Sequence, residues 1–145
     1  MARFVHPQFP NSNTDPFYLT SPDTPNYNCI AWAYGDSNKW FWPDSSNMYY
    51  WPDDIPRLVH INNFVQLFES IGYFVCDSFE REENFEKIVI YTDHAGIPTH
   101  AARQLENGYW TSKLGASFDI SHTLVAMSDG YYGNATIVMK RGKVF

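Results

Sequence analysis

The residue best suited to covalent chemistry in this sequence is Cys29, within the stretch YNCIAWA at residues 27–33. Small and apolar residues follow the cysteine at a spacing that predicts a short helix, ended by Gly35. A thiol in the first turn of a helix meets the positive end of the backbone dipole, which favours the nucleophilic thiolate. The alternative is a small buried side chain, as most free cysteines are.

A thiol nucleophile needs a base, and imidazole is the usual one. The chain contains five histidines, at positions 6, 60, 94, 100 and 122. His6 lies in a proline-rich segment, His60 precedes a helix, and we expect His94 in an exposed turn. His100 follows a turn at the start of a predicted strand, where a ring can be held still. We therefore predict a Cys29–His100 pair, with an ordinary buried sheet histidine as the alternative for His100.

Three residues downstream are candidates for a third catalytic member. Ser112 comes first, because a hairpin turn longer than two residues would place it on the face of His100. Asp119 would be the better electrostatic partner for an imidazolium, although it could equally cap a helix. His122 could also face the site or be a surface histidine. The backbone amide of Cys29 is the expected oxyanion donor, assisted by the side chain of Asn28 or Tyr27.

An unusual concentration of tryptophan, tyrosine and proline runs from Trp40 to Pro56. Such rings can simply cover the core, or they can line a binding groove beside the cysteine. Under the second interpretation, the predicted substrate-binding residues are Tyr27, Asn28, Trp32, Trp42, Trp51 and Trp110.

The remaining pattern predicts one domain spanning residues 1–145, with a proline-rich arm at 1–28 packed on it. That arm should contain neither a helix nor a central strand. A helix capped by Asn62 or Asn63 should end at Gly72. The pattern of residues 87–114 predicts three antiparallel strands, and that of residues 135–140 predicts a last strand. Between them, a short helix capped by Ser117 or Asp119 should run to Met127.

Composition excludes several classes of protein. The net charge of −6 argues against non-specific nucleic-acid binding. Two cysteines are too few for a disulfide framework, and no apolar run is long enough for a membrane span. Because no secretory signal is visible at the N-terminus, we expect a cytoplasmic location, with signal-independent export left open.

The order of a helix-borne cysteine, an aromatic loop, a second helix and a strand-borne histidine resembles the papain-like thiol hydrolases, especially NlpC-type peptidases and CHAP amidases. Residues 28–33 (NCIAWA) match the cysteine helix and residues 99–102 (THAA) the histidine strand. The resemblance implies an α+β fold, with the cysteine helix packed on a small antiparallel sheet. It also implies a cysteine peptidase or amidase. The motifs YNCIAWA, THAARQL, YWTSKLG and DISH are similar to a family of small uncharacterised bacterial proteins.

The main hypothesis is therefore a hydrolase that cleaves an amide bond of a peptide, protein or glycopeptide through Cys29 and His100, without a cofactor. A variant is a glutamine deamidase or transglutaminase-like effector that uses the same pair. A second hypothesis is a non-catalytic peptide- or glycopeptide-binding module with an aromatic groove. A third, a zinc site of Cys29, His100 and His122, lacks the usual ligand spacing. An inhibitor or immunity protein is left open as a partner.

Overall fold

The computed structural model describes residues 3–21, 27–36, 38–114 and 119–143. Its strands are β1 (Arg3–Phe4), β2 (Phe17–Ser21), β3 (Phe74–Cys76), β4 (Phe85–Thr92), β5 (Pro98–Gln104), β6 (Trp110–Lys113), β7 (Asp119–His122) and β8 (Asn134–Gly142). The α-helices are α1 (Cys29–Tyr34), α2 (Ile61–Glu69) and α3 (Leu124–Met127). Within the described residues, the strands form one antiparallel sheet of eight in the order β1-β2-β7-β6-β5-β4-β8-β3.

The predicted α+β, papain-like fold is wrong, because this chain is largely β. The predicted helix ending at Met127 is one cause: residues 119–122 instead form β7, which pairs with both β2 and β6. Only Leu124–Met127 is helical, and its cap is the side chain of Thr123, which accepts a hydrogen bond from the Ala126 amide at 3.2 Å. Asp119 is therefore a strand residue, and Ser117 lies outside the described residues.

The N-terminal arm also differs from its prediction, because β2 lies between β1 and β7 in the sheet. Prolines flank this strand at Pro16 and Pro22, but none lies within Phe17–Ser21. The prolines therefore exclude a strand only at the ends of this segment and not in its interior.

The two helices predicted near the site are present, although α2 ends at Glu69 and not at Gly72. Asn28 caps α1 by accepting from the Ala31 amide at 3.2 Å, and Gly35 ends it in the left-handed conformation at φ 102°. In α2 the prediction of the cap is wrong. His60 Nδ1, not Asn62 or Asn63, accepts the first free amide, that of Asn62, at 3.2 Å.

The antiparallel meander of β4, β5 and β6 is confirmed and separates two apolar cores. On one face, α1, α2 and the aromatic loop pack against strand residues that include Ile90 and Ala101. On the other face, Tyr91 and Ala102 pack with residues of β2, β7 and α3. Neighbouring strand residues such as Ala101 and Ala102 thus belong to opposite cores, as the alternation of a strand requires.

The ladder between β5 and β6 is short, and this shapes the site. Only Arg103 with Thr111 and Gln104 with Trp110 are paired, whereas β6 continues to Lys113 alongside β7. The two strands therefore separate towards Pro98, the start of β5. Among the described residues, no helix is long and apolar enough to cross a membrane.

Candidate functional site

Cys29 is the first residue of α1, and its side chain is 6% exposed. The preceding Asn28 fixes this helix start to the aromatic loop through both ends of its amide. Its Nδ2 donates to the Phe41 carbonyl at 2.6 Å, while its Oδ1 accepts from the Phe41 amide at 3.0 Å. The thiol is thus held in place by the helix cap and by the first part of the loop.

The Cys29 thiol is protonated at neutral pH. Burial raises its pKa to about 11, although the backbone amides of Ala101, Ile30 and Cys29 itself, together with the Lys113 ammonium, favour the thiolate. The helix start therefore does not lower the pKa of the thiol below its ordinary value, because desolvation by burial outweighs the favourable amides. Cys29 nevertheless shares an apolar core with Ala101 of β5, the residue that follows His100 in the sequence.

An open cleft of about 350 Å³ lies over Cys29. Its lining consists of Asn28, Cys29, Trp40, Trp42, Tyr49, Thr99, Tyr131 and Tyr132. Of the six predicted substrate-binding residues, Asn28 and Trp42 line this cleft.

The other four predicted binding residues lie elsewhere. Trp51 is in the core of α1 and α2, and Trp110 is in the opposite core. Tyr27 stacks on Trp32 with ring centroids 5.4 Å apart, and Trp32 Nε1 donates to Thr111 Oγ1 at 3.1 Å. These last two rings dock α1 on the sheet.

Asp119 is buried and binds Tyr27, not a histidine. The Tyr27 hydroxyl donates to its Oδ2 at 2.6 Å, and burial together with this carboxylate raises the tyrosine pKa to about 12. Lys113, the cross-strand neighbour of Asp119, lies 5.3 Å from the centre of the Tyr27 ring. Asp119 and Lys113 therefore support the segment that precedes Cys29. Because the Tyr27 hydroxyl donates to Asp119, it is not available to stabilise an oxyanion.

His100 is completely buried, and the alternation of β5 places its side chain on the face opposite Ala101 and Cys29, so the predicted Cys29–His100 pair is not in contact. His100 is paired in register with Tyr91, whose ring it meets edge-on at 5.2 Å. Tyr132 stacks on the imidazole at 4.1 Å with an interplanar angle of 7°, and the same tyrosine lines the cleft over Cys29. Tyr132 therefore connects the cleft with the buried ring.

A chain of hydrogen bonds joins His100 to His122 through Ser112. His100 Nε2 lies 2.9 Å from Ser112 Oγ, which lies 2.6 Å from His122 Nε2. His122 Nδ1 lies 2.8 Å from the Thr123 carbonyl. Ser112 and His122, two of the three candidates for a third member, thus lie together with His100.

This chain fixes which nitrogen carries each proton. The Thr123 carbonyl can only accept, so His122 carries its proton on Nδ1 and leaves Nε2 as an acceptor. The Ser112 hydroxyl then donates to His122 and accepts from Nε2–H of His100. His100 Nδ1 is consequently an unprotonated nitrogen, and it has no hydrogen-bond partner among the described residues.

Both imidazoles are neutral at pH 7. Burial lowers the pKa of His122 to about 4, although the Thr123 carbonyl and Asp15 favour its charged form. Burial, followed by repulsion from His122, holds the pKa of His100 well below 6.5. Together with the protonated Cys29, these values exclude a resting thiolate–imidazolium pair.

Sequence reasoning missed Lys113 and Tyr132. A lysine is rarely fully buried, so the sequence contained no signal for Lys113. Tyr132 lies between Gly130 and Gly133 in a turn, and only the tertiary fold brings it over β5. For the zinc hypothesis, the described residues contain no group of three His, Cys, Asp or Glu side chains positioned to hold a metal ion.

The fold and site define an antiparallel β-sheet protein with a buried thiol beside an aromatic cleft and a histidine pair behind it. A family described as a domain of unknown function (DUF7689) matches residues 18–140, and the chain belongs to that family. No curated protein and no solved structure matches the chain significantly.

Proposed function

We propose that the protein is a cysteine-dependent hydrolase of amide bonds, with Cys29 as the nucleophile and Nδ1 of His100 as the base. One observation carries this proposal: the Ser112–His122 chain leaves an unprotonated, unpartnered Nδ1 on a fully buried ring. A buried nitrogen without a partner has an energetic cost, and such costs are concentrated at functional sites. Cys29 packs in the same core as Ala101, which follows His100 in β5.

The reaction would begin with attack of Sγ on the carbonyl carbon as the thiol proton moves to Nδ1 of His100. The resulting oxyanion would be stabilised by backbone amides near the sulfur. When the C–N bond breaks, the imidazolium returns its proton to the leaving amine, and a thioester remains on Cys29. Water, deprotonated by the same nitrogen, then attacks the thioester, and the thiol is regenerated with release of the carboxylic acid.

Because the Cys29 thiol and the His100 imidazole are both neutral without substrate, attack by the sulfur and transfer of its proton to the imidazole must occur together once substrate is bound. No hydrogen bond joins Sγ to Nδ1 in the part of the chain that the structure describes, and Tyr132 covers the imidazole. Tyr132 lines the cleft and stacks on the imidazole. The proposed proton transfer therefore requires that a bound ligand displaces this ring and opens a path between Sγ and Nδ1 where β5 and β6 separate. Apo geometry of this kind is common where catalytic contacts tighten only with substrate bound.

The experiment is labelling with an N-acetyl-phenylalanyl acyloxymethyl ketone, followed by intact-mass and peptide-mass analysis. We expect one adduct, on Cys29, in the wild type and in the matched control Cys76→Ala. Cys29→Ala should give none. His100→Gln should react at least about 100-fold more slowly, because a positioned base contributes about 10²–10⁴-fold.

If His100→Gln is labelled at the wild-type rate, His100 is not the base. If Cys29 of the wild type is not labelled, Cys29 is not the nucleophile. If His100→Gln does not fold, Ser112→Ala provides the same comparison, because it removes the donor–acceptor chain and keeps the ring. Product analysis with glutamine-containing peptides distinguishes hydrolysis from deamidation or acyl transfer, which share the first step.

A second candidate is a binding module without turnover. The observation that favours it is that the Cys29 thiol, with a pKa of about 11, and the His100 imidazole, with a pKa well below 6.5, are both neutral. Under this alternative, Cys29→Ala retains full affinity for the ligand of the cleft, and no adduct forms with the electrophile.

A further inference from the structure

The cleft over Cys29 is built from aromatic rings and contains no charged side chain among its described lining residues. Two pairs of lining rings contact each other, Trp40 with Tyr49 at 5.9 Å between centroids and Tyr131 with Tyr132 at 5.4 Å. Tyr49 and Tyr131 are 41% and 66% exposed. These two rings therefore retain surface that a ligand can cover.

The two basic side chains that flank the aromatic loop already have partners, and its exposed Asp53 and Asp54 do not line the cleft. Arg57 forms an ion pair with Asp44 at 2.9 Å, and Lys39 lies over the Tyr50 ring at 4.4 Å. A charged ligand group in the cleft would lose water without gaining a counter-charge. A cation could contact ring faces, but for a strongly hydrated ammonium that gain is smaller than the loss of hydration.

On these grounds, and resting on the proposed function, we propose that the cleft binds an uncharged aromatic side chain of a peptide, carried by the residue whose carbonyl Cys29 attacks. The volume of about 350 Å³ lies at the lower end of ligand sites, which span about 300–1,000 Å³. It accommodates one large side chain with its amide rather than a long segment. Because Cys29 is part of the lining, a side chain bound there remains attached to the sulfur in the thioester.

The test measures binding separately from reaction. N-acetyl-phenylalaninamide, N-acetyl-lysinamide, N-acetyl-glutamic acid amide and N-acetylglucosamine are titrated into the full chain, with chemical shifts of the tryptophan indole protons as the readout. We expect the phenylalanine amide to bind at least tenfold more tightly than the other three. Tyr131→Ala should weaken it at least tenfold.

The matched control is Tyr109→Ala, which removes a ring that is 37% exposed and packs against Tyr18 away from the cleft. It should leave all four affinities unchanged. Equal affinities, or tighter binding of the lysine, glutamate or sugar ligand, would overturn the inference. If the phenylalanine amide binds tightly but no electrophile labels Cys29, the specificity stands and the proposed catalysis fails.

Discussion

Tyr132 lies face to face with His100, 4.1 Å away and nearly parallel, so that one phenol ring shields the imidazole beside the cleft. We expect Tyr132→Ala to admit water to His100 and to raise the pKa of its imidazole towards the ordinary 6.5, because burial is the first cause of the depression. Titration of the His100 ring protons by NMR measures this. Tyr132→Phe retains the stacked ring and serves as the control; an unchanged pKa in Tyr132→Ala would show that other residues bury His100.

Ser112 connects two imidazoles in defined tautomers. We predict Nε2–H for His100 and Nδ1–H for His122, which long-range ¹H–¹⁵N correlation spectra report directly. Ser112→Ala leaves buried ring nitrogens without partners and should lower the free energy of unfolding by about 1–3 kcal/mol. Ser45→Ala, at an exposed position of the aromatic loop, should change it by less than about 0.5 kcal/mol. The opposite tautomer at either ring would contradict the hydrogen-bond chain.

The stability of the protein should decrease as the pH falls below neutral. Both imidazoles have a folded-state pKa below 6.5, so the unfolded chain binds more protons on acidification. The stabilisation is fully present above pH 6.5 and is lost as the pH falls towards about 4, the pKa of His122. For His122 alone, the loss between pH 7 and pH 5.5 is about 1 kcal/mol.

Urea denaturation across this pH range measures the effect. His122→Gln removes one of the two buried groups and should make the pH dependence shallower. A free energy of unfolding that stays constant from pH 7 to pH 5.5 would mean that the buried rings already carry charge.

Cys29 should alkylate slowly in the absence of ligand. A thiol pKa of about 11, against an ordinary 9.0, lowers the thiolate fraction near neutral pH by about 100-fold. With iodoacetamide at pH 8, peptide mapping should therefore find Cys76 modified before Cys29, and the rate at Cys29 should continue to rise up to pH 10. Faster reaction at Cys29 than at Cys76 would indicate a preformed thiolate.

The local pattern of the sequence was sufficient for α1, α2 and the meander of β4, β5 and β6. Capping residues, helical spacing and β-branched runs act over a few residues and can be recognised directly. The overall fold was not predictable in this way. Residues 17–21 and 119–122 pair with each other across about 100 positions, whereas the prolines around the first segment and the capping potential of Asp119 in the second argue locally against strands.

The candidate site was predicted unevenly for a similar reason. Side-chain type and turn position identified His100, Ser112 and His122, which the structure brings together. The chemical state of Cys29 was not predictable, because burial in the folded core, not its place in the helix, determines its pKa. The covering ring of Tyr132 and the ammonium of Lys113 depend on tertiary packing alone.

Asn28 ties the start of α1 to the Phe41 backbone through both polar atoms of its amide. The aromatic loop is thereby anchored at Phe41, and Arg57 binds it on both sides of its tip at residues 45–48, at the Asp44 side chain and at the Tyr49 carbonyl. Variation in the length or composition of that tip can therefore reshape the mouth of the cleft without moving the sulfur atom. Engineered changes of ligand preference are therefore best introduced at this tip.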